Sequence, residues 1–236
     1  MPSHTLQAYD EELKFLATRI AQMGGHAERM VEEAVAALVS SNEALAQTVI
    51  RNDRVLDEAE REIDDKAVLI IARRQPMAID LREIIGAIRI SADLERVGDL
   101  GKNIAKRVAA AGQTRQPAKL FRGIEALAEL ALTQLKDVLD AYGSRSVGRI
   151  AAVRDRDEEI DAKYTSLFRE LLTYMMEDPR NITACTHLLF CAKNIERIGD
   201  HATNIAETVH YIVTGSQLPV ERPKEDESHK IVVAGD

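Results

Sequence analysis

Tryptophan is missing from this 236-residue chain, and tyrosine and phenylalanine bring the aromatic share to only 4%. A core with so few rings has to be filled by Leu, Ile, Val and Ala, as helix bundles are. Cysteine is nearly missing too. Cys185 and Cys191 stand six residues apart in one helical stretch, a spacing that turns them to different faces and argues against a mutual disulfide. Both are expected to be reduced, in or beside the core. No apolar run is long enough to span a bilayer, and no signal-peptide pattern opens the chain. The expectation is a cytoplasmic protein with no direct membrane insertion. An excess of basic residues is also lacking: Lys and Arg number 31 against 39 Asp and Glu, for a net charge of −8. Without a basic stripe to displace counterions, nucleic acid is not an expected partner. No glycine-rich phosphate loop and no triad-like spacing of serine and histidine occurs, which speaks against a hydrolase.

What the chain has instead is helical periodicity almost everywhere. Apolar residues make up 45% of it and charged residues of both signs 30%, which suits long helices with one buried and one wet face. Six helices are expected: about Thr5–Val39, Glu43–Arg74, Ile79–Ala111, Ala118–Ala141, Ser146–Met176 and Ile182–Val213. Leu13, Leu16, Ile20, Met23, Met30, Val31 and Val35 form the inward face of the first. Ser40 three residues before Glu43 reads as a capping box between the first two helices. Pro76 stops the second, because proline disfavours helical geometry in the residue before it.

The two halves repeat. Glu95-Arg96-Val97-Gly98-Asp99 through Asn103-Ile104-Ala105 returns as Glu196-Arg197-Ile198-Gly199-Asp200 through Asn204-Ile205-Ala206. Seven of these eleven positions are identical, at an offset of 101. Asp53 and Asp57 return as Asp157 and Asp161, and Pro76 as Pro179. A duplication of about 100 residues is the simplest account. The expected organisation is all-α, with two tandem three-helix bundles over residues 1–112 and 113–215 and a mobile polar tail over 216–236.

Positions four apart share a helix face. Glu95, Asp99 and Asn103 thus form one oxygen-bearing line, and Glu196, Asp200 and Asn204 a second. Leu94, Val97, Gly98, Gly101, Ile104 and Ala105 share the apolar arc beside the first line, so the carboxylates are expected on the flank of the bundle. Two carboxylates one turn apart repel, and a glycine inside a helix costs about 1 kcal/mol relative to alanine. Both features are kept twice, in register. The glycines Gly98 and Gly199 imply close approach of a ligand or, equally, of a neighbouring helix. Hard oxygen ligands on adjacent helices suit Mg²⁺, Mn²⁺ or iron better than zinc. Asp53 with Asp57, and Asp157 with Asp161, lie one turn apart on the second and fifth helices and would complete the sites if the packing turns them to the two lines. The candidate ligands are therefore Glu95, Asp99, Asn103 and Asp57 in the first half and Glu196, Asp200, Asn204 and Asp161 in the second. Arg96 and Arg197 follow the glutamates as neutralising neighbours.

At these residues the chain resembles the PhoU family of phosphate-specific transport accessory proteins, whose hallmark is a twice-repeated Glu/Asp-x-x-x-Asp motif. Tyr9-Asp10-Glu11-Glu12-Leu13, Gln75-Pro76-Met77-Ala78-Ile79-Asp80-Leu81-Arg82 and His201-Ala202-Thr203-Asn204-Ile205-Ala206-Glu207 carry the resemblance further, over about residues 5–215. It implies two three-helix bundles, metal on the acidic motifs and a negative regulatory role on phosphate uptake and the phosphate-starvation regulon. It also implies an adaptor between the ATPase subunit of a phosphate ABC transporter and a sensor histidine kinase, in a homodimer and without enzymatic activity. Two alternatives stand beside it. One is a helical adaptor without metal, whose acidic lines meet basic patches on partners. The other is a di-iron carboxylate enzyme, which needs two Glu-x-x-His motifs; only Glu207-Thr208-Val209-His210 is present, with no counterpart at Lys106–Ala109.

Overall fold

A computed structural model describes residues 2–111 and 118–218. Residues 112–117, at the expected junction of the two bundles, and 219–236, most of the expected tail, lie outside the described residues. Within them the chain forms six long α-helices and no strand. The first bundle comprises α1 (Pro2–Ser40), α2 (Glu43–Arg74) and α3 (Ile79–Ala105), followed by the single turn α4 (Val108–Ala111). The second comprises α5 (Ala118–Ser144), α6 (Ile150–Glu177) and α7 (Ile182–Thr214), with 3₁₀ turns at Val147–Arg149 and Pro179–Asn181. The third expected helix is therefore cut short. It ends at Ala105, where the Lys106 N–H bonds back to the Lys102 carbonyl at 3.0 Å and that of Arg107 to Ile104 at 3.0 Å.

The turns show the duplication as clearly as the motifs. Ser41 and Arg145 both take left-handed backbone at φ 52°. The N–H one residue further on reaches five residues back in each case, Asn42 to the Ala37 carbonyl at 2.9 Å and Ser146 to that of Ala141 at 3.1 Å. This is the Schellman closure of a helix. Ser40 Oγ donates to the Ala36 carbonyl at 2.6 Å and Ser144 Oγ to that of Asp140 at 2.7 Å. Ser40 is thus the end of α1 and not the cap of α2. The cap is Asn42, whose Oδ1 accepts from the Leu45 N–H at 3.0 Å. An asparagine can accept from the free N–H groups of the first turn while the serine bonds backwards into its own helix, so the expected capping box does not form.

The core is almost entirely aliphatic, running through Ile20, Val31, Ile63, Ile90, Leu94 and Ile104 into Leu127, Leu135, Leu188, Ile198 and Val209. Every residue of the apolar arc on α3 is buried. Cys185 and Cys191 are buried thiols not joined in a disulfide; burial lifts both pKa values, that of Cys191 to about 12. Each bundle packs its three helices on one another, and the bundles meet along two seams, α3 against α7 and α1 against α5. Paired residues run in opposite directions along α3 and α7: Arg89 stacks on Tyr211, Asp93 meets His201, and Arg107 meets His187. The two bundles therefore lie antiparallel. Each seam seats a branched side chain over a glycine. A Cβ on Gly86 would fall 2.3 Å from Ile212 Cδ1, and one on Gly24 2.6 Å from Leu139 Cδ1. No helix among the described residues is long and apolar enough to cross a membrane.

Candidate functional site

The acidic lines of α3 and α7 lie beside the core arcs, as the helical wheel requires, and each faces the middle helix of its own bundle. The two environments differ. On α3, Glu95 keeps only 14% of its side chain exposed and Asp99 29%. Arg96 reaches both, at 3.4 Å and 3.3 Å. Burial raises the Glu95 pKa, and the charges of Asp99, Glu60 and Asp57 push the same way, against the lowering influence of Arg96. Asp53, on α2, is nearly buried. The Lys102 ammonium bonds to its carboxylate and also to Asp99 Oδ1 at 2.5 Å, tying α2 to α3. Burial acts to lower the Lys102 pKa, but the two carboxylates outweigh it and hold the group above the ordinary lysine range.

On α7, Glu196 departs from the expectation of an exposed flank: it is 5% exposed. The reason is its neighbour one turn back. Lys193 reaches Glu196 Oε1 at 2.7 Å while its ammonium lies 5.1 Å from the centre of the Tyr164 ring on α6. Glu196 Oε2 is buried with no hydrogen-bond partner. Burial is the main cause that pushes its pKa up to about 7, opposed by Lys193 and reinforced by the charges of Asp200 and Asp161. The asparagines one turn beyond are engaged elsewhere. Lys106 meets Asn103 Oδ1 at 3.5 Å, and Asn204 donates to Asp93 Oδ1 across the seam at 3.3 Å. His201, beside Asp200, also turns to Asp93, at 2.8 Å.

Both mid-helix glycines serve helix packing. A Cβ on Gly98 would fall 2.1 Å from Leu56 Cδ1, and one on Gly199 3.0 Å from Ile160 Cδ1. Among the described residues, no three His, Cys, Asp or Glu side chains are gathered closely enough to hold a metal ion. The residues fit a cation unequally. The first line already has an ammonium between two of its carboxylates, whereas the second has a buried carboxylate oxygen with nothing bonded to it.

The PhoU domain model matches residues 20–108 and again 124–209, one copy on each bundle. The chain belongs to the PhoU family. It is 68% identical over 224 residues to the phosphate-specific transport system accessory protein PhoU homolog of Rhizobium meliloti, covering 95% of this chain and 94% of that one. The Caulobacter vibrioides homolog of the same name is 50% identical, covering 96% and 98%. Among solved structures, PhoU from Pseudomonas aeruginosa superposes with a TM-score of 0.82 at 37% identity, over 88% of this chain and all of that one. The phosphate transport system regulatory protein PhoU from Streptococcus pneumoniae gives 0.81 at 27%, over 90% and 100%.

In these PhoU repeats, the residues that sequence reasoning missed are those that answer the motifs: the cations Lys102 and Lys193, the amide Gln134 and the carboxylate Asp93. Lys102 was readable, since it stands three residues after Asp99 on the same face. Gln134 was not. It stands on an otherwise apolar face of α5, fully buried, with Nε2 2.9 Å from the Val153 carbonyl, 3.0 Å from Thr203 Oγ1 and 3.4 Å from Asp157 Oδ1. Only the fold brings those three acceptors to it.

Proposed function

We propose that this chain is a cytoplasmic accessory protein of a phosphate transport system that restrains phosphate uptake and the phosphate-starvation response when phosphate is plentiful. The observation that carries the reading is the match to both PhoU repeats, joined to 68% identity across nearly the whole length of an accessory protein of that name. In this reading it works by contact, as an adaptor between the ATPase subunit of the phosphate ABC transporter and a sensor histidine kinase, and it pairs as a homodimer. The relatives are named as accessory and regulatory proteins, which supports a contact-making role over an enzymatic one. Deleting the gene and following a phosphate-starvation reporter in phosphate-rich medium tests this. The reporter should become active; one that stays silent would refute the regulatory role.

Cation binding on the acidic motifs belongs to the same reading. Glu95, Asp99 and Asp57 in the first repeat, and Glu196, Asp200 and Asp161 in the second, would have to draw closer together to hold one, with iron, manganese or magnesium as the matching hard ions. A bound cation would offset the mutual repulsion of these carboxylates. It would also link the middle helix of a repeat to its third helix.

A further inference from the structure

Along the seam of α1 with α5, two recesses open on the surface. The first, about 460 Å³, has Val35, Ala36, Ala128 and Leu132 as its apolar lining. Glu28 and Glu32 stand at it from α1 and Glu125 and Glu129 from α5, with Lys136 the one basic side chain of this lining. The second, about 620 Å³, continues past Ala21, Gly25, Leu139 and Gly143. Glu28 and Lys136 line both, so the two form one trough. It follows α1 from Ala17 to Ala36, roughly 28 Å at the helical rise, or about five turns of a helix laid along it.

Two independent features of this trough have no counterpart within the chain. The first is charge. Elsewhere carboxylates meet cations: Glu12 pairs with Lys66 and Arg74, Glu83 with Arg145, and Asp137 with Arg156. Among the described residues, none of the four trough glutamates forms an ion pair. They stand as two pairs one turn apart, an arrangement that repels. Burial raises the Glu28 pKa and the charge of Glu32 adds to it, against the lowering influence of Lys136. The second feature is space. Of the α-helical glycines described, Gly24, Gly86, Gly98, Gly101, Gly123 and Gly199 each have a neighbour against the place of the missing Cβ. Gly25 and Gly143 have none within 4 Å, and both line the trough. A glycine inside a helix lowers its stability, and at Gly25 no internal packing makes use of it. An approach by a backbone from outside would.

We propose that the trough between α1 and α5 seats a basic amphipathic helix of a partner protein. Its small and apolar side chains lie against Gly25, Ala36 and Leu132, and its Lys or Arg residues stand beside the four glutamates, a helix-in-groove contact. Charge selects this occupant. A second copy of the chain brings a net charge of −8, and residues 219–236 hold five acidic residues against three Lys and Arg; the trough repels both. The proposal rests on the reading of this chain as an adaptor and gives that adaptor one contact face. The probe is a fluorescein-labelled peptide of about five helical turns, with Ala and Leu on one face and Lys on the other. Its binding to the full chain is followed by anisotropy at physiological salt, beside a peptide with Glu in place of Lys.

The Lys peptide should bind and the Glu peptide should not. Glu125→Gln with Glu129→Gln should weaken binding at least tenfold. Glu158→Gln with Glu159→Gln, which removes the same charge from the exposed surface of α6, should leave it within twofold. Gly25→Met fills the trough without changing its charge and should also weaken binding at least tenfold. No binding of the Lys peptide, or equal loss from the two glutamate pairs, would overturn the trough as its seat. Loss through Glu125 and Glu129 but not through Gly25→Met would overturn the seating of a helix. A wild-type dimer that Gly25→Met dissociates in sedimentation would give the trough to a second copy and overturn the proposal. Should Gly25→Met lose its helical circular dichroism, Ala36→Gln replaces it. In cells, both trough variants should leave the phosphate-starvation reporter active in rich phosphate. If deletion activates the reporter and both variants silence it again, the trough is not a working face of the adaptor and the proposal falls, while the regulatory reading stands. A reporter silent even on deletion would refute that reading and leave the peptide result to decide the trough.

Discussion

In the first repeat a lysine sits inside the acidic cluster and joins two helices; in the second a lysine sits at its edge and leaves half a carboxylate bare. The eleven-residue pattern, the glycine and the packing of the helices are shared. The difference comes from a single change of charge one turn beyond the shared Asp, with a second lysine one turn before the shared Glu. Duplication therefore preserved the backbone frame, which depends on apolar spacing, and let the electrostatics drift, because a flank position tolerates exchange. Two sites that look identical in a motif search can thus hold different partners.

The comparison predicts unequal costs for removing the two lysines and a larger pH response from Glu196 than from Glu95. Lys102→Met leaves nearly buried Asp53 and half-buried Asp99 without their cation, and should cost about 3 kcal/mol in urea unfolding at pH 7. Lys193→Met should cost about 1 kcal/mol, because Lys193 is 41% exposed and Glu196 can answer its loss by holding a proton. Equal costs would break the contrast.

The pH dependence of the metal-free protein has a definite sign. The folded pKa of Glu196, about 7, lies above the ordinary glutamate value of 4.5, so the folded state holds the proton that the unfolded state gives up between those pH values. Stability from this group is full below about pH 4.5 and falls as pH rises to about 7, by on the order of 3 kcal/mol. Glu196→Gln should flatten that slope in chemical unfolding measured from pH 5 to 7.5. An unchanged slope would show that the carboxyl is not shielded as described.

Smaller effects sharpen the same contrast. Gly98→Ala should destabilise by about 1–2 kcal/mol, since Leu56 occupies the space of the new methyl. Gly199→Ala, with a looser neighbour, should stay within about 0.5 kcal/mol because the gain in helix propensity offsets the contact. Asn42→Ala should cost about 1 kcal/mol through the lost cap. Ser146→Ala, at the matching turn, should cost almost nothing, because its side chain makes no cap bond. Thermal midpoints of the four variants check these orders.

Much of this was legible in the sequence, for reasons that can be named. The long helices followed from 3.6-residue spacing, and Pro76 and Gly215 marked real ends: Gly215 takes φ 75° and its N–H closes on the Tyr211 carbonyl at 2.9 Å. The core arc on α3 was right because burial of aliphatic side chains dominates the choice of face. What failed was local competition among polar groups. Ser40 could accept from a free N–H of α2 or donate to a carbonyl of α1, and it donates to Ala36 in its own helix. Ala105 ended α3 although alanine favours helix, and no residue there signals a stop. Glu196 was expected on an open flank, and only the fold shows it buried, with its partner Lys193 against the Tyr164 ring of α6.

The glycine sockets at Gly24 and Gly86 have a mechanical consequence. Each receives a knob, Leu139 or Ile212, from the opposite repeat, and the two lie on different seams. To slip lengthwise past its twin, a repeat would have to lift both knobs clear at once. A push on one repeat should therefore arrive at the other as displacement of both together, like force along a keyed shaft.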